Sequence, residues 1–142
     1  MLSKRKTKIE IIIEKKDGML WGIVENKGNF VVTPYGKTKD EVISSLKELI
    51  KDYQLNEGQR DKFWSKVDIE NMDIEIFYDL QAFFKEFKEL KISSLASTAS
   101  LNPSLLRQYA SGSKYPSIEQ AKKLEAAVHA LGKKLNEVAI YA

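Results

Sequence analysis

Asn102, Ser104, Arg107 and Gln108 share one side of a short predicted helix, while Leu106 and Tyr109 are spaced to be buried on the other. Those polar types do a definite kind of chemistry. An arginine guanidinium matches guanine O6 and N7, and an asparagine or glutamine amide matches adenine N6 and N7. Side chains do this only when a neighbouring helix holds theirs at the right angle. The preceding segment supplies what that crossing needs: a small residue, Ala96, with apolar Leu95 before it, and Ser100-Leu101 as a tight turn followed by an apolar plug. Residues 92–111, ISSLASTASLNPSLLRQYAS, therefore read as a helix-turn-helix whose second helix enters the major groove. Ser93, at the start of the first of these helices, and Ser113, Lys114 and Tyr115, after Gly112, flank the groove as phosphate contacts. The turn position held by Ser100 is usually glycine, so a positive φ is expected there with some strain.

Capping residues set the boundaries independently. Asn102-Pro103 is an N-cap followed by proline at the first helical position, where the missing N–H costs nothing. Gly112 suits the place just past that helix. Ser117-Ile118-Glu119-Gln120 is a capping box opening a further helix toward Leu131. Its predicted apolar stripe is Ala121, Leu124, Ala127 or Val128, Leu131 and Leu135. Upstream, Asp79 can cap a helix with the stripe Leu80, Phe83, Phe84, Phe87 and Leu90. The C-terminal half is thus expected to be a small all-helical module.

The formal net charge of the 142-residue chain is +3, but it is unevenly spread. Residues 80–142 hold nine Lys/Arg against five Asp/Glu, and residues 1–79 hold fourteen against fifteen. The positive excess sits with the helix-turn-helix, where phosphate attraction would use it. With 43% hydrophobic and 30% charged residues the chain has the composition of a folded protein. The absence of cysteine removes disulfides, a thiolate nucleophile and cysteine-ligated zinc. The start, MLSKRKTKIEIIIEKK, is basic and then apolar, but Glu10 and Glu14 interrupt a run too short for an export signal. No run approaches membrane-spanning length, and a cytoplasmic protein is expected.

The first half changes period. Ile9, Ile11 and Ile13 alternate with Glu10 and Glu14 in a strand pattern, Asp17-Gly18 is a hairpin turn, and residues 19–25 form the return strand. Asn26-Lys27-Gly28-Asn29 marks a second turn before a short third strand over residues 30–33. A helix over about residues 39–53 carries Val42, Leu46, Leu49, Ile50 and Tyr53 on one stripe. Residues 55–66 are a polar connection with Phe63 and Trp64 as anchors. The fourth strand falls at residues 67–70 or, better, at 74–78. The predicted order is β-β-β-α-β, an α+β layer with its helix on one side.

Little here suggests an enzyme. Glu10, Glu14 and Glu25 could gather on neighbouring strands, but Lys8, Lys15 and Lys16 interleave with them, the pattern of a solvated sheet face. His129 lies off its helix's apolar stripe with no second histidine for a ligand set. No glycine-rich phosphate loop or serine nucleophile motif occurs. No catalytic residue, metal or cofactor is expected.

The run NPSLLRQYASGSKYPSIEQAKKLEAAVHALG, within residues 78–135, resembles the Xre/Cro-type DNA-binding domain of HicB-like antitoxins. The β-β-β-α-β order, with GKTKDEVISSLKELI as its helix, resembles the partial ribonuclease-H-like domain of the same proteins, although Asn26–Asn29 replaces the family's usual proline-glycine segment. The resemblance implies a HicB-like partner-binding domain over residues 1–76 and a helix-turn-helix DNA-binding domain over residues 77–142. It implies an antitoxin that binds a HicA-like toxin and represses their operon as a homodimer on double-stranded operator DNA. Val138, Ile140 and Tyr141 are candidates for the dimer contact. Two alternatives stay open: a stand-alone transcription regulator whose first domain senses a ligand or protein, and a weak nuclease of ribonuclease-H type.

Overall fold

The computed structural model describes residues 6–25 and 27–142. Among these residues it has a mixed α+β architecture with a four-stranded sheet and five α-helices, and the chain divides into two compact units, Met1–Ala82 and Phe83–Ala142.

In the first unit β1 (Thr7–Lys16) and β2 (Met19–Val24) form an antiparallel hairpin with Lys16 opposite Met19, so Asp17-Gly18 is the whole turn. Both turn residues have positive φ (53° and 74°), the twist that suits the flanking strands. Strand β3 (Tyr35–Gly36) pairs with β2, and helix α1 (Lys39–Asn56) then returns the chain to β4 (Met72–Tyr78), which lies parallel to β1. The sheet order is β3-β2-β1-β4. Thr38 caps α1 by accepting the Glu41 N–H. Val42, Leu46 and Ile50 share one buried core with Ile9, Ile11, Ile13 and Leu20, the helix side of the alternating strands.

The β-β-β-α-β order expected from the sequence is present, but the third strand is not where the pattern placed it. Residues 30–33 are irregular and β3 is the two-residue pair after Pro34. Phe30 stacks on Tyr53 of α1 at 4.0 Å and Val32 enters the core, so this stretch follows the helix instead of the sheet edge. Asn26, the first residue of the expected second turn, lies outside the described residues. Of the two candidate positions for the last strand, the later one forms and starts at Met72. The unit boundary also falls later than residue 76, because Phe77 and Tyr78 pair with Ile12 and Ile13 and Ala82 belongs to the sheet's core.

Helix α2 (Leu80–Glu86) spans that boundary. Asp79 caps it, its Oδ1 accepting the Gln81 N–H at 2.9 Å. The expected phenylalanine stripe is only partly covered: Ala82 is the buried residue of α2, while Phe83 and Phe84 are half-buried and Phe87 is exposed.

In the second unit α3 (Ile92–Thr98), α4 (Pro103–Ser111) and α5 (Ile118–Asn136) surround a small core of Leu95, Ala96, Ala99, Leu106, Tyr109, Leu124 and Ala127. The capping box of Ser117 and Gln120 forms as expected, but α5 runs beyond Leu131 to Asn136. Its predicted stripe is longer than the core it meets: Ala121 and Leu135 are exposed and Leu131 is half-buried. The reason is length. At 1.5 Å per residue α5 is about 28 Å long, against about 10–14 Å for α3 and α4. Among the described residues no helix is long and apolar enough to cross a membrane.

Candidate nucleic-acid interface

The geometry of residues 92–111 follows from how α3 ends. Ala99 closes the helix, Ser100 adopts a left-handed φ of 56°, and the chain reverses. The Ser100 N–H donates to Ser97 O (3.2 Å) and the Leu101 N–H to Ala96 O (2.9 Å), which together satisfy two carbonyls of the last turn of α3. This is a Schellman ending, with serine where glycine is usual. Ala96 is fully buried, so the small side chain expected at the helix crossing is in the core.

Helix α4 ends in the same way, now with glycine. Gly112 has φ 81°, its N–H donates to Tyr109 O (3.2 Å), and the Ser113 N–H donates to Gln108 O (3.0 Å). At the other end Pro103 occupies the first turn and Asn102 Oδ1 accepts the Ser104 N–H at 2.8 Å. One helix of nine residues is thus closed at both ends by its own sequence.

Of its side chains, Leu106 and Tyr109 are buried, and Ser104, Arg107 and Gln108 are exposed along one line at helical spacing. Asn102, also exposed, spends an oxygen lone pair on the cap, so its first role is structural. Ser113, Lys114 and Tyr115 are all exposed beyond Gly112, but they are not equivalent. The Ser113 hydroxyl is tied back to Gln108 O (3.3 Å) and to the Ser111 hydroxyl (3.0 Å), so it finishes the helix. Tyr115 is 79% exposed. Ser93 is half-buried in the first turn of α3, whose N-cap is Lys91.

Sequence reasoning did not foresee the residue that orients α4. The Tyr109 hydroxyl donates to Gln120 Oε1, and that oxygen also accepts the Ser117 N–H (3.3 Å) within the capping box of α5. One glutamine therefore closes α5 and pins α4 to it. The i,i+3 spacing of Ser117 and Gln120 was legible; the tyrosine partner eleven residues earlier was not.

A second polar cluster was also missed, in the first unit. Asp61, 3% exposed, sits in the connection after α1. Its two oxygens accept the N–H groups of Asn29 (2.8 Å), Phe63 (2.9 Å) and Trp64 (3.0 Å) and the Tyr53 hydroxyl (2.8 Å). The Asn29 N–H foremost, with those of Trp64 and Phe63 and the Tyr53 hydroxyl, outweighs the cost of burial and holds the carboxyl at about 2. The same bond raises the Tyr53 pKa. Gly28, at φ 60°, makes room, since a Cβ there would meet this carboxylate. With four donors on its oxygens the carboxylate is saturated and acts as a fastener within the fold. Trp64 completes the fastening: it is fully buried and its Nε1 donates to Lys27 O at 2.6 Å. Phe63 and Trp64 thus anchor the connection as expected.

The carboxylates considered for metal chemistry lie apart in role. Glu10 and Glu75 are register partners, and Lys8 lies 3.7 Å from the first and 3.2 Å from the second. Glu75, by hydrogen bond and charge, raises the Lys8 pKa above its ordinary value. Glu25 pairs with Lys27 at 4.0 Å. His129 is exposed. No family model, curated protein or solved structure matches this chain.

Proposed function

We propose that the second unit is a helix-turn-helix that reads operator DNA, and that the chain as a whole acts as a HicB-like antitoxin and autorepressor. One observation carries the DNA-reading half. The exposed row Ser104, Arg107 and Gln108 stands on a helix capped at both ends and bound to its neighbours through Ala96 and the Tyr109–Gln120 bond. A rigid helix offering guanidinium, amide and hydroxyl groups in a row has the chemistry of base readout. Lys114 lies beyond its C-terminus, where a cation would meet phosphate.

In this reading the first unit, a partial ribonuclease-H-like domain of HicB type, holds a HicA-like toxin while the second occupies the operator as a homodimer. Exposed Val138, Ile140 and Tyr141 (59%, 85% and 100%) supply the apolar surface for the dimer contact. The experiment is a binding titration of the intact protein on DNA from upstream of its own gene, against random duplex of equal length. Specific binding at least tenfold tighter than random supports the DNA-reading half, and equal affinity refutes it. Co-expression with the adjacent reading frame tests the antitoxin half: growth arrest relieved by this protein is expected.

A further inference from the structure

The face of the sheet opposite α1 does not obey the alternation of a solvated face. On a sheet with only one side covered, the outward positions should be polar, as the alternation of a half-buried strand requires. Here Ile12, Ile23 and Phe77 stand in one row across three strands, since Ile12 is the register partner of both others. They are 46%, 46% and 43% exposed. Trp21 and Tyr35, the next outward pair across β2 and β3, stack with ring centroids 5.1 Å apart and are also exposed. Five large apolar side chains from all four strands thus form a continuous patch. Isolated apolar residues on a surface need no explanation, but a row set by strand register does.

Charge identifies the occupant. The outward charged positions of the strands are Glu10, Glu14, Asp73 and Glu75 against Lys8 and Lys16, two negative charges in excess. Lys8 already serves Glu10 and Glu75. An apolar centre with an acidic rim fits a protein surface that presents apolar side chains among cationic ones. A second copy would bring the same acidic excess against itself. A single-stranded nucleic acid could stack on Trp21 and Tyr35, but its phosphates would meet carboxylates.

We propose that this open sheet face is the docking surface for a basic protein partner, with Ile12, Ile23, Phe77, Trp21 and Tyr35 as the contact and Glu10 and Glu75 as the charge match. The proposal deepens the reading of the first unit as a partner-binding module and assigns the contact to the sheet's face, where the edge strands β3 and β4 would be the alternative.

The test uses the intact, isotope-labelled protein and defined probes. A synthetic peptide of alternating lysine and leucine should shift the resonances of Ile12, Ile23, Phe77 and the Trp21 indole while leaving those of α1 in place. A glutamate-leucine peptide should bind about tenfold more weakly. Ile12→Asn with Phe77→Ser should abolish binding of the lysine peptide, and Glu10→Lys with Glu75→Lys should weaken it about tenfold. The charge-reversed variant keeps the apolar row intact, so it remains decisive if the first variant unfolds. Val31→Asn, at an exposed position outside the face, should change nothing. Equal binding of the two peptides, or binding insensitive to the charge reversal, would overturn the proposal. The same resonances moving on dilution of the protein alone would assign the face to a second copy, and their moving with oligothymidylate would assign it to nucleic acid. A chain that binds the lysine peptide but neutralises no toxin would overturn the antitoxin reading and leave the surface standing.

Discussion

Ser100 offers a measurement in which the backbone alone is perturbed. Its side chain is exposed and its φ of 56° is left-handed, while its N–H and that of Leu101 close α3. A left-handed conformation costs an L-residue about 1–2 kcal/mol. Glycine avoids that cost but loses about 0.5–1 kcal/mol more conformational entropy on folding. Ser100→Gly should therefore stabilise the second unit by about 0.5–1 kcal/mol. For a unit of this size that corresponds to a rise of about 2–8 °C in its unfolding temperature. Asparagine tolerates the left-handed region better than most residues, so Ser100→Asn should fall between serine and glycine. Valine, β-branched, should lose about 1 kcal/mol or more. The molecule holds its own control, since Gly112 makes the same ending on α4 at φ 81°, and Gly112→Ser should cost about as much as Ser100→Gly gains. The assay is thermal unfolding followed by circular dichroism, with amide exchange at Leu101 and Leu106 reporting the second unit specifically. If Ser100→Gly is neutral or destabilising while Ser100→Val is tolerated, the turn is not left-handed and the reasoning fails.

Replacing Arg107 by alanine should cost about 1–3 kcal/mol on cognate operator and much less on random duplex. Equal losses on both would make Arg107 a phosphate contact. Lys114→Ala should weaken binding to every sequence alike and lower the salt-dependence slope by about one, and an unchanged slope would place it away from DNA. Asp61, with its carboxyl held at about 2 against an ordinary 3.8, contributes stability that is fully present above pH 3.8 and is lost as pH falls toward 2. Asp61→Asn should lower the urea midpoint at neutral pH, read from the fluorescence of buried Trp64, with the gap to wild type closing below about pH 2; a gap constant with pH would refute the charge-based account. Ala96→Leu should destabilise the α3–α4 crossing by about 1–3 kcal/mol and abolish DNA binding, and near-normal stability would mean the crossing has room to spare. Serine at Val138, Ile140 and Tyr141 together should shift sedimentation toward monomer, and an unchanged profile would move the dimer contact elsewhere.

The sequence by itself determined the features that depend on neighbours within one turn. The Asp17-Gly18 hairpin, the Asn102-Pro103 start, the Gly112 stop, the Ser117–Gln120 box and the strained Ser100 all appear in the structure. Each is a contest between a backbone conformation and a side chain at most three residues away, so local types decide it. Alternation likewise identified the inward face of β1, because period-two burial leaves a clear trace. Only the tertiary structure decided the rest. That residues 30–33 leave the sheet follows from Phe30 finding Tyr53, and that Asp61 is buried and saturated follows from donors on Asn29 and Tyr53 that reach it across the fold. Tyr109 meeting Gln120 is of the same kind. The apolar row on the open face needed register: Ile12, Ile23 and Phe77 look unremarkable singly and become a surface only when three strands align them. Such pairings join residues far apart in the chain, and the closure of the loops between them, not any local preference, determines which ones meet.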